Sequence, residues 1–345
     1  CYLTVFLRKH IIRGYAMRKL LLGTTALAAA TLSANAALAD VSISGYYEMK
    51  YQSRGSDVAA NNGTTMATDS EVTVKFSNKT DSGLDISMTT EIQGDDGDTA
   101  IDEGSLTIAG GFGKFVLGGN DGAGDNYGID AQDVVGEDIN ATGTTTLTLT
   151  DTDLESTDGD SAKVSYHLPA MGGLKAGISI TDDGSDSTTG NQDSTSFGAQ
   201  YSMEAAGASI TIGGGTIQTE QVSGTVDIES QNIGVKVVSG DITVIAANAT
   251  YEATNKDEKA NGIGVKFKVS DDMSIGAYTI KVEDDTGTTA ETYANTGAEV
   301  TYSIASGLTA FINIEDYDYK IGAGTGAGTT ADKGTVSKLT IKATF

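Results

Sequence analysis

The last eleven residues, Thr335-Val336-Ser337-Lys338-Leu339-Thr340-Ile341-Lys342-Ala343-Thr344-Phe345, alternate without a break. Leu339, Ile341, Ala343 and Phe345 fall on one face of an extended chain, and Lys338, Thr340, Lys342 and Thr344 fall on the other. A period of two marks a β-strand with one apolar and one polar face, and here it runs to the final residue. Such a tail needs a partner strand along its edge and an apolar medium against its Phe345 face.

The opposite end of the chain indicates where that medium lies. Met17 is followed by Arg18 and Lys19, an apolar run from Leu20 to Leu32, and Ala37-Leu38-Ala39 ahead of Asp40. A basic start, an apolar stretch and an A-x-A site form a secretory signal peptide, assigned to residues 17–39. The run is too short, and too rich in Ala and Thr, to anchor a helix in a membrane. Residues 1–16 read as an upstream extension outside the native protein, which removes Cys1 as a lipid-modified terminus. The expected exported chain, 40–345, has no cysteine and holds itself together without disulfides. Taking the five basic residues before Asp40 from the total of 22 leaves 17 against 47 acidic ones, a net charge of −30. That acidity excludes nucleic acid as a partner and favours cations or plain solubility. No later stretch is long and apolar enough for a membrane helix.

Alternating segments recur along the exported chain at 41–51, 70–78, 84–92, 103–110, 113–119, 162–169, 173–181, 194–202, 207–216, 229–238, 240–251, 260–269, 273–283, 292–302, 306–316 and 335–345. The number, sixteen, is even, as closed single-chain bacterial barrels require. Val72, Val74 and Phe76 alternate with Glu71, Thr73 and Lys75; Ile263, Val265, Phe267 and Val269 alternate with Gly264, Lys266 and Lys268. A soluble sandwich shows the same alternation, so the links between strands must discriminate. Short links, such as Thr80 to Gly83 and Ser270 to Asp272, take turns with long polar links at 52–69, 93–102, 120–161, 183–193, 217–228, 252–259, 284–291 and 317–334. An up-and-down barrel with turns at one rim and loops at the other produces that rhythm. Pairing the first strand with the last removes every free edge, which lipid demands because an unpaired backbone group there costs several kcal/mol. Tyr46, Tyr47, Tyr51, Phe115, Tyr166, Tyr201, Tyr251, Tyr302 and Phe345 lie near strand ends, as interfacial aromatic girdles do. The fold class is therefore all-β, a transmembrane antiparallel up-and-down barrel.

At this level the residues resemble a known family, the trimeric general porins of Gram-negative outer membranes, in their alphaproteobacterial, Rhodobacter-like form. Val41 to Tyr46 opens the expected mature chain in that family's manner, and Phe76-Ser77-Asn78-Lys79-Thr80-Asp81-Ser82-Gly83-Leu84 resembles its first periplasmic turn. Ile108 to Gly118 is similar to the hairpin before the constriction loop, and Phe345 to the terminal assembly signal. The resemblance covers the whole of 40–345. It implies a third loop folded into the pore of a sixteen-stranded barrel, a homotrimer, and passive diffusion of small hydrophilic solutes and ions. The partners it implies are outer-membrane lipid and lipopolysaccharide, and the machinery that assembles barrels.

Sixteen strands leave an aqueous channel, because a smaller barrel fills with its own side chains. The 120–161 link is the longest and carries Asp121, Asp125, Asp130, Asp133, Glu137, Asp138, Asp151, Asp153, Glu155, Asp158 and Asp160, with no Lys or Arg. Folded inward, it lines one side of the pore with negative charge, the first six of these residues forming the constriction and giving a mild cation preference. Alternation turns Lys50, Lys75, Lys338 and Lys342 toward the lumen on strands that adjoin once the barrel closes, and Arg54 follows the first strand. A transverse field between acidic loop and basic wall would orient polar solutes. The family's arginine cluster has no counterpart, since Arg54 is the only arginine after residue 39.

No cofactor is required on this reading. The carboxylates of Asp151, Asp153, Glu155, Asp158 and Asp160 are spaced to hold calcium, and a solvated acidic loop explains them better. Gly118 to Asp125 is glycine-rich without the helix of a phosphate loop, and reads as a hinge. Enzymatic chemistry lacks candidates: the expected exported chain has no cysteine, and His167, just before Pro169, has no partner motif. The competing reading is a secreted, calcium-stabilised β-sandwich adhesin or surface-layer protein, soluble without detergent.

Overall fold

A computed structural model describes residues 40–94, 101, 103–137, 145–155, 159, 161–182, 191–221, 226–284, 286, 290–321 and 331–345. The expected signal peptide and upstream extension lie outside this set. Sixteen strands follow in order: β1 (Asp40–Ser56), β2 (Gly63–Lys79), β3 (Asp85–Gln93), β4 (Gly104–Gly110), β5 (Gly113–Gly119), β6 (Ala162–His167), β7 (Leu174–Thr181), β8 (Asn191–Ala205), β9 (Ala208–Gln221), β10 (Ile228–Ser239), β11 (Ile242–Ala253), β12 (Lys256–Lys268), β13 (Met273–Asp284), β14 (Glu291–Ala305), β15 (Leu308–Ile321) and β16 (Asp332–Thr344). Every strand is antiparallel to both neighbours, and β1 pairs with β16 to close one barrel.

The closing seam sets Tyr46 opposite Thr344 and Met49 opposite Ile341. Phe345 continues the ladder: its N–H donates to Gly45 O at 2.9 Å, and its carbonyl accepts from Gly45 N–H at 3.3 Å. Across each strand, alternate side chains separate outside from inside. Ile263, Val265 and Phe267 of β12 point outward and stay exposed, 44% or more of each accessible, whereas Gly264 and Ala260 point inward and are buried. Exposed apolar side chains around a single closed sheet suit a lipid solvent. They overturn the sandwich reading, which needs two sheets with their apolar faces buried between them.

Several links are shorter than expected because the strands run further, two of them most clearly. The 252–259 link, expected to be long, is a two-residue turn at Thr254-Asn255, with Asn255 at φ 63°. Its flanks, Lys256-Asp257-Glu258-Lys259, look like a solvated loop in sequence but extend β12. The 52–69 link shrinks to six residues, Asp57 to Asn62, because β1 and β2 pair as far as Arg54 opposite Gly63. At the opposite rim the turns are tight; Ala206 and Gly207 both adopt left-handed φ, 51° and 79°, which suits the twist of a two-residue hairpin.

Candidate functional site

The segment between β5 and β6 folds into the barrel and lies along its inner wall. Its outgoing limb places the carbonyls of Ala123, Gly124, Tyr127, Ile129, Ala131 and Val134 directly over Gly198, Gly215, Gly213, Gly234, Gly264 and Gly276, on β8, β9, β10, β12 and β13. A Cβ on any of these glycines would overlap the carbonyl above it, so the glycines form a track that admits the loop backbone. The limb ends near β14 to β16: Gly136 and Glu137 donate their N–H groups to the Glu299 carboxylate at 2.8 and 3.0 Å, and Asn313 Nδ2 donates to Glu137 O at 2.9 Å.

The returning limb is fixed by a second wall carboxylate. Glu258, fully buried, accepts from Thr148 N–H and from Leu149 N–H at 2.7 Å, and pairs with Lys256 at 3.1 Å. Ile129, Ala131, Val134, Leu147 and Leu149 of the loop pack with Ile245, Ala260, Tyr278, Ile280 and Tyr293 of the wall into a dry cluster inside the barrel. At its start the loop is held by Tyr127, whose hydroxyl shares a 2.7 Å hydrogen bond with His167 Nδ1, and by Gly124 N–H donating to Ser196 Oγ at 2.6 Å.

The expected site residues divide among several roles. Asp130 is structural: it caps the turn Ala131–Val134 by accepting from Gln132 N–H at 3.0 Å, and accepts from Thr152 N–H at 3.1 Å. Glu137 is engaged by Lys338 at 3.2 Å and Lys342 at 3.7 Å, while Lys342 also meets Glu48 at 3.2 Å and sits 4.1 Å over the Tyr46 ring. Lys50 pairs with Glu48, and with Asp69 at 3.4 Å. The basic wall on β1 and β16 and the tip of the loop therefore meet as ion pairs, instead of facing each other across open solvent. Arg54 stands 5.9 Å over the Tyr317 ring, and Lys75 is exposed on β2 with no ion pair among the described residues.

Asp121 and Asp133 remain exposed on the loop and Asp125 half-buried; Asp138 lies outside the described residues. Although Asp133 stays open to the lumen, partial desolvation by the surrounding barrel raises its carboxyl pKa, with Lys236 opposing and Asp130 assisting. Desolvation likewise raises Glu155, assisted by the nearby Glu258 charge. Asp151 and Asp153 close local turns, accepting from Asp153 N–H at 3.0 Å and Leu154 N–H at 2.8 Å, while Glu155 donates its N–H to Ser230 Oγ at 3.0 Å. Among the described residues no three such ligands gather around one point, and Asp158 and Asp160 lie outside that set.

A family model described as Gram-negative porin matches residues 23–322. The chain belongs to the Gram-negative porins. Solved structures agree on the fold. The anion-selective porin from Comamonas acidovorans superposes with a TM-score of 0.63 at 13% identity, covering 89% of this chain and 100% of the other. The trimer form of OmpT, an outer membrane protein of Vibrio cholerae, gives 0.65 at 18% identity, covering 89% and 99%. A multiply substituted porin of Rh. blastica gives 0.61 at 15% identity, covering 89% and 100%. No curated protein matches the sequence. This porin is an integral outer-membrane β-barrel, and its inward loop is what shapes the channel.

Several residues that define the channel carried no obvious signal. Glu258 and Glu299 look like ordinary charges on polar strand faces, yet each is buried under the loop. The glycine track did leave a trace: glycines recur at inward positions of otherwise well-formed strands, where they weaken a sheet unless another backbone approaches closely.

Proposed function

We propose that this porin is a passive, water-filled channel for small hydrophilic solutes and ions, with a mild preference for cations. The observation that carries the selectivity is the imbalance of free charge at the constriction. The loop has no basic residue, Asp121 and Asp133 stay exposed on it, and the lysines of β1 and β16 are engaged by Glu48, Asp69 and Glu137. The similarity to an anion-selective porin bears on the fold alone; selectivity follows from the charges in the lumen.

Reversal potential under a KCl gradient tests this. The expected potassium preference at pH 7 is roughly two- to fivefold, and it should fall on acidification from above the ordinary carboxylate range. The sign follows from burial: a raised carboxyl pKa means that Asp133 and Glu155 lose their negative charge earlier than free side chains as pH drops. Anion preference at pH 7, or a cation preference that is flat down to pH 4, contradicts the assignment.

A homotrimer fits the uneven height of the wall. β4 and β5 have seven residues each and β6 has six, against seventeen for β1 and β2. Seven residues on a tilted strand rise roughly 18 Å, short of an apolar band of about 25 Å. The low wall needs protein beside it, and copies of the same barrel supply that cover while lipid and lipopolysaccharide meet the taller strands. The trimer form of OmpT supports this reading.

Phe345 fits a signal read by barrel-assembly machinery. Its backbone is paired at the seam, but its ring is 81% exposed and adds little packing. Phe345→Ala should therefore refold in detergent like the parent yet accumulate poorly in the outer membrane of cells. Equal accumulation of the two proteins counts against an assembly role.

A further inference from the structure

The outer face of the closing seam changes character along its strands. The outward positions of β15 run Ile312, Ile314, Asp316, Asp318 toward the long-loop rim, and opposite them on β16 stand Leu339, Ser337, Thr335, Lys333. The face is apolar where the bilayer core lies and polar above it. Two cavities follow that change. Ala298 and Ser337 are short, and a groove of about 530 Å³ opens over them, walled by Tyr51, Ile275, Val300, Ile312 and Leu339. The next positions toward the rim line a second cavity of about 540 Å³, where Gly55 and Thr335 lie among Asp57, Asp316, Asp318 and Lys333. Each has the size of a ligand site. Charges of both signs are available in the upper cavity. Asp316 accepts from Thr335 Oγ1 at 2.5 Å and makes no ion pair among the described residues, whereas Asp318 pairs with Lys320 at 2.6 Å. Lys333 reaches Asp57 only at 3.7 Å, with the two side chains 64% and 67% exposed.

An apolar groove that leads into a cavity with a carboxylate and a loosely engaged ammonium has the order of a lipid, chain below and head above. We propose that this furrow holds one lipid whose headgroup carries a phosphate beside a primary amine. Its chain lies over Ala298 and Ser337, its phosphate meets Lys333, and its amine meets Asp316. A headgroup with a phosphate alone would bring negative charge to a cavity that already has three carboxylates and one lysine. The amine answers that excess. Asp316 and Lys333 are diagonal neighbours across β15 and β16, roughly 7–8 Å apart at the backbone, a gap that two side chains and a compact phosphate–amine head can close. A second copy of the chain is the competing occupant. The low wall that calls for such a copy is on β4 to β6, whereas the furrow follows the tall strands that meet lipid. The inference depends on that outward face and not on conduction.

The test is native mass spectrometry of the folded protein in detergent, offered equal amounts of phosphatidylethanolamine and phosphatidylglycerol with identical acyl chains. One phosphatidylethanolamine should stay bound per barrel, preferred roughly fivefold, as two exposed ion pairs allow. The double variant Asp316→Asn/Lys333→Gln should lose the preference. Ala298→Phe, which fills the groove, should lose the bound lipid of either kind. Equal retention of the two lipids by the parent, preference for phosphatidylglycerol, or no retained lipid overturns the inference. So does an unchanged preference in the double variant, or unchanged retention in Ala298→Phe. An oligomer that dissociates in Ala298→Phe would make the furrow a contact between copies, and overturns it too. The comparison of the two lipids uses the parent protein alone, so a misfolded variant would not rescue the idea.

Discussion

Replacing both wall carboxylates, Glu258→Gln and Glu299→Gln together, is expected to release the constriction loop while leaving the barrel closed. Each glutamate accepts two backbone N–H bonds from the loop, and neither can be exchanged for water without moving the chain. A glutamine amide keeps the shape and one acceptor oxygen but loses the charge and replaces the other oxygen with an NH2 donor. A hydrogen bond to a charged group contributes about 1.5–3 kcal/mol, so losing the charge and one acceptor oxygen at each site weakens docking by a few kcal/mol in the double variant. The sheet is not involved, because ladder bonds on β12 and β14 come from backbone. In single-channel recordings the double variant should flicker between levels that the parent lacks, and proteases should cleave its loop in the folded barrel. Quiet steps and intact loops in the double variant would mean that the dry cluster alone holds the loop.

Gly264→Val reaches the same loop by another route and is expected to have an effect of similar size. A Cβ at Gly264 would overlap Ala131 O and press on the Val134 side chain, both of which are fully buried. Overpacking a well-filled site costs about 1–3 kcal/mol when neighbours can adjust. Here the immediate neighbour is a carbonyl fixed between Thr152, which receives the Ala131 N–H, and the Asp130 cap. Relief must come from lifting the loop off β12. Valine favours strands, so the barrel should tolerate it or gain slightly. The measurement is conductance together with the thermal stability of the folded barrel. The expected result is altered conductance at unchanged stability; a stability loss with parental conductance would place the strain in the sheet.

How much of this was legible in the sequence depends on the range of the interactions. All sixteen strands could be read because their apolar faces repeat every second residue, a local property that lipid enforces on each strand separately. The outer halves of β1 and β2 escaped because Gln52 to Ser56 and Gly63 to Asp69 have no such alternation; they are ordered by pairing with each other and, for β1, with β16. β12 started earlier than expected for the same reason, with Lys256 and Glu258 turned inward to the loop.

The site was less legible. Its decisive contacts join residues more than a hundred positions apart, such as Thr148 with Glu258 and Gly136 with Glu299. A carboxylate that binds a loop looks, in sequence, like one that is solvated. The acidic character of the loop was readable, but not that Asp130 would cap a turn or that Glu137 would be spent on Lys338 and Lys342. Those outcomes follow from the path of the loop, and the path follows from glycines on other strands.

The central claim is that a pinned, acidic loop constricts an open channel. The most direct measurement is planar-bilayer recording of the purified, folded protein under a KCl gradient. The account predicts discrete conductance steps whose reversal potential has the sign of cation preference. Folded protein, shown as such by a heat-dependent shift in gel mobility, that yields no steps or an anion-selective reversal potential would contradict it.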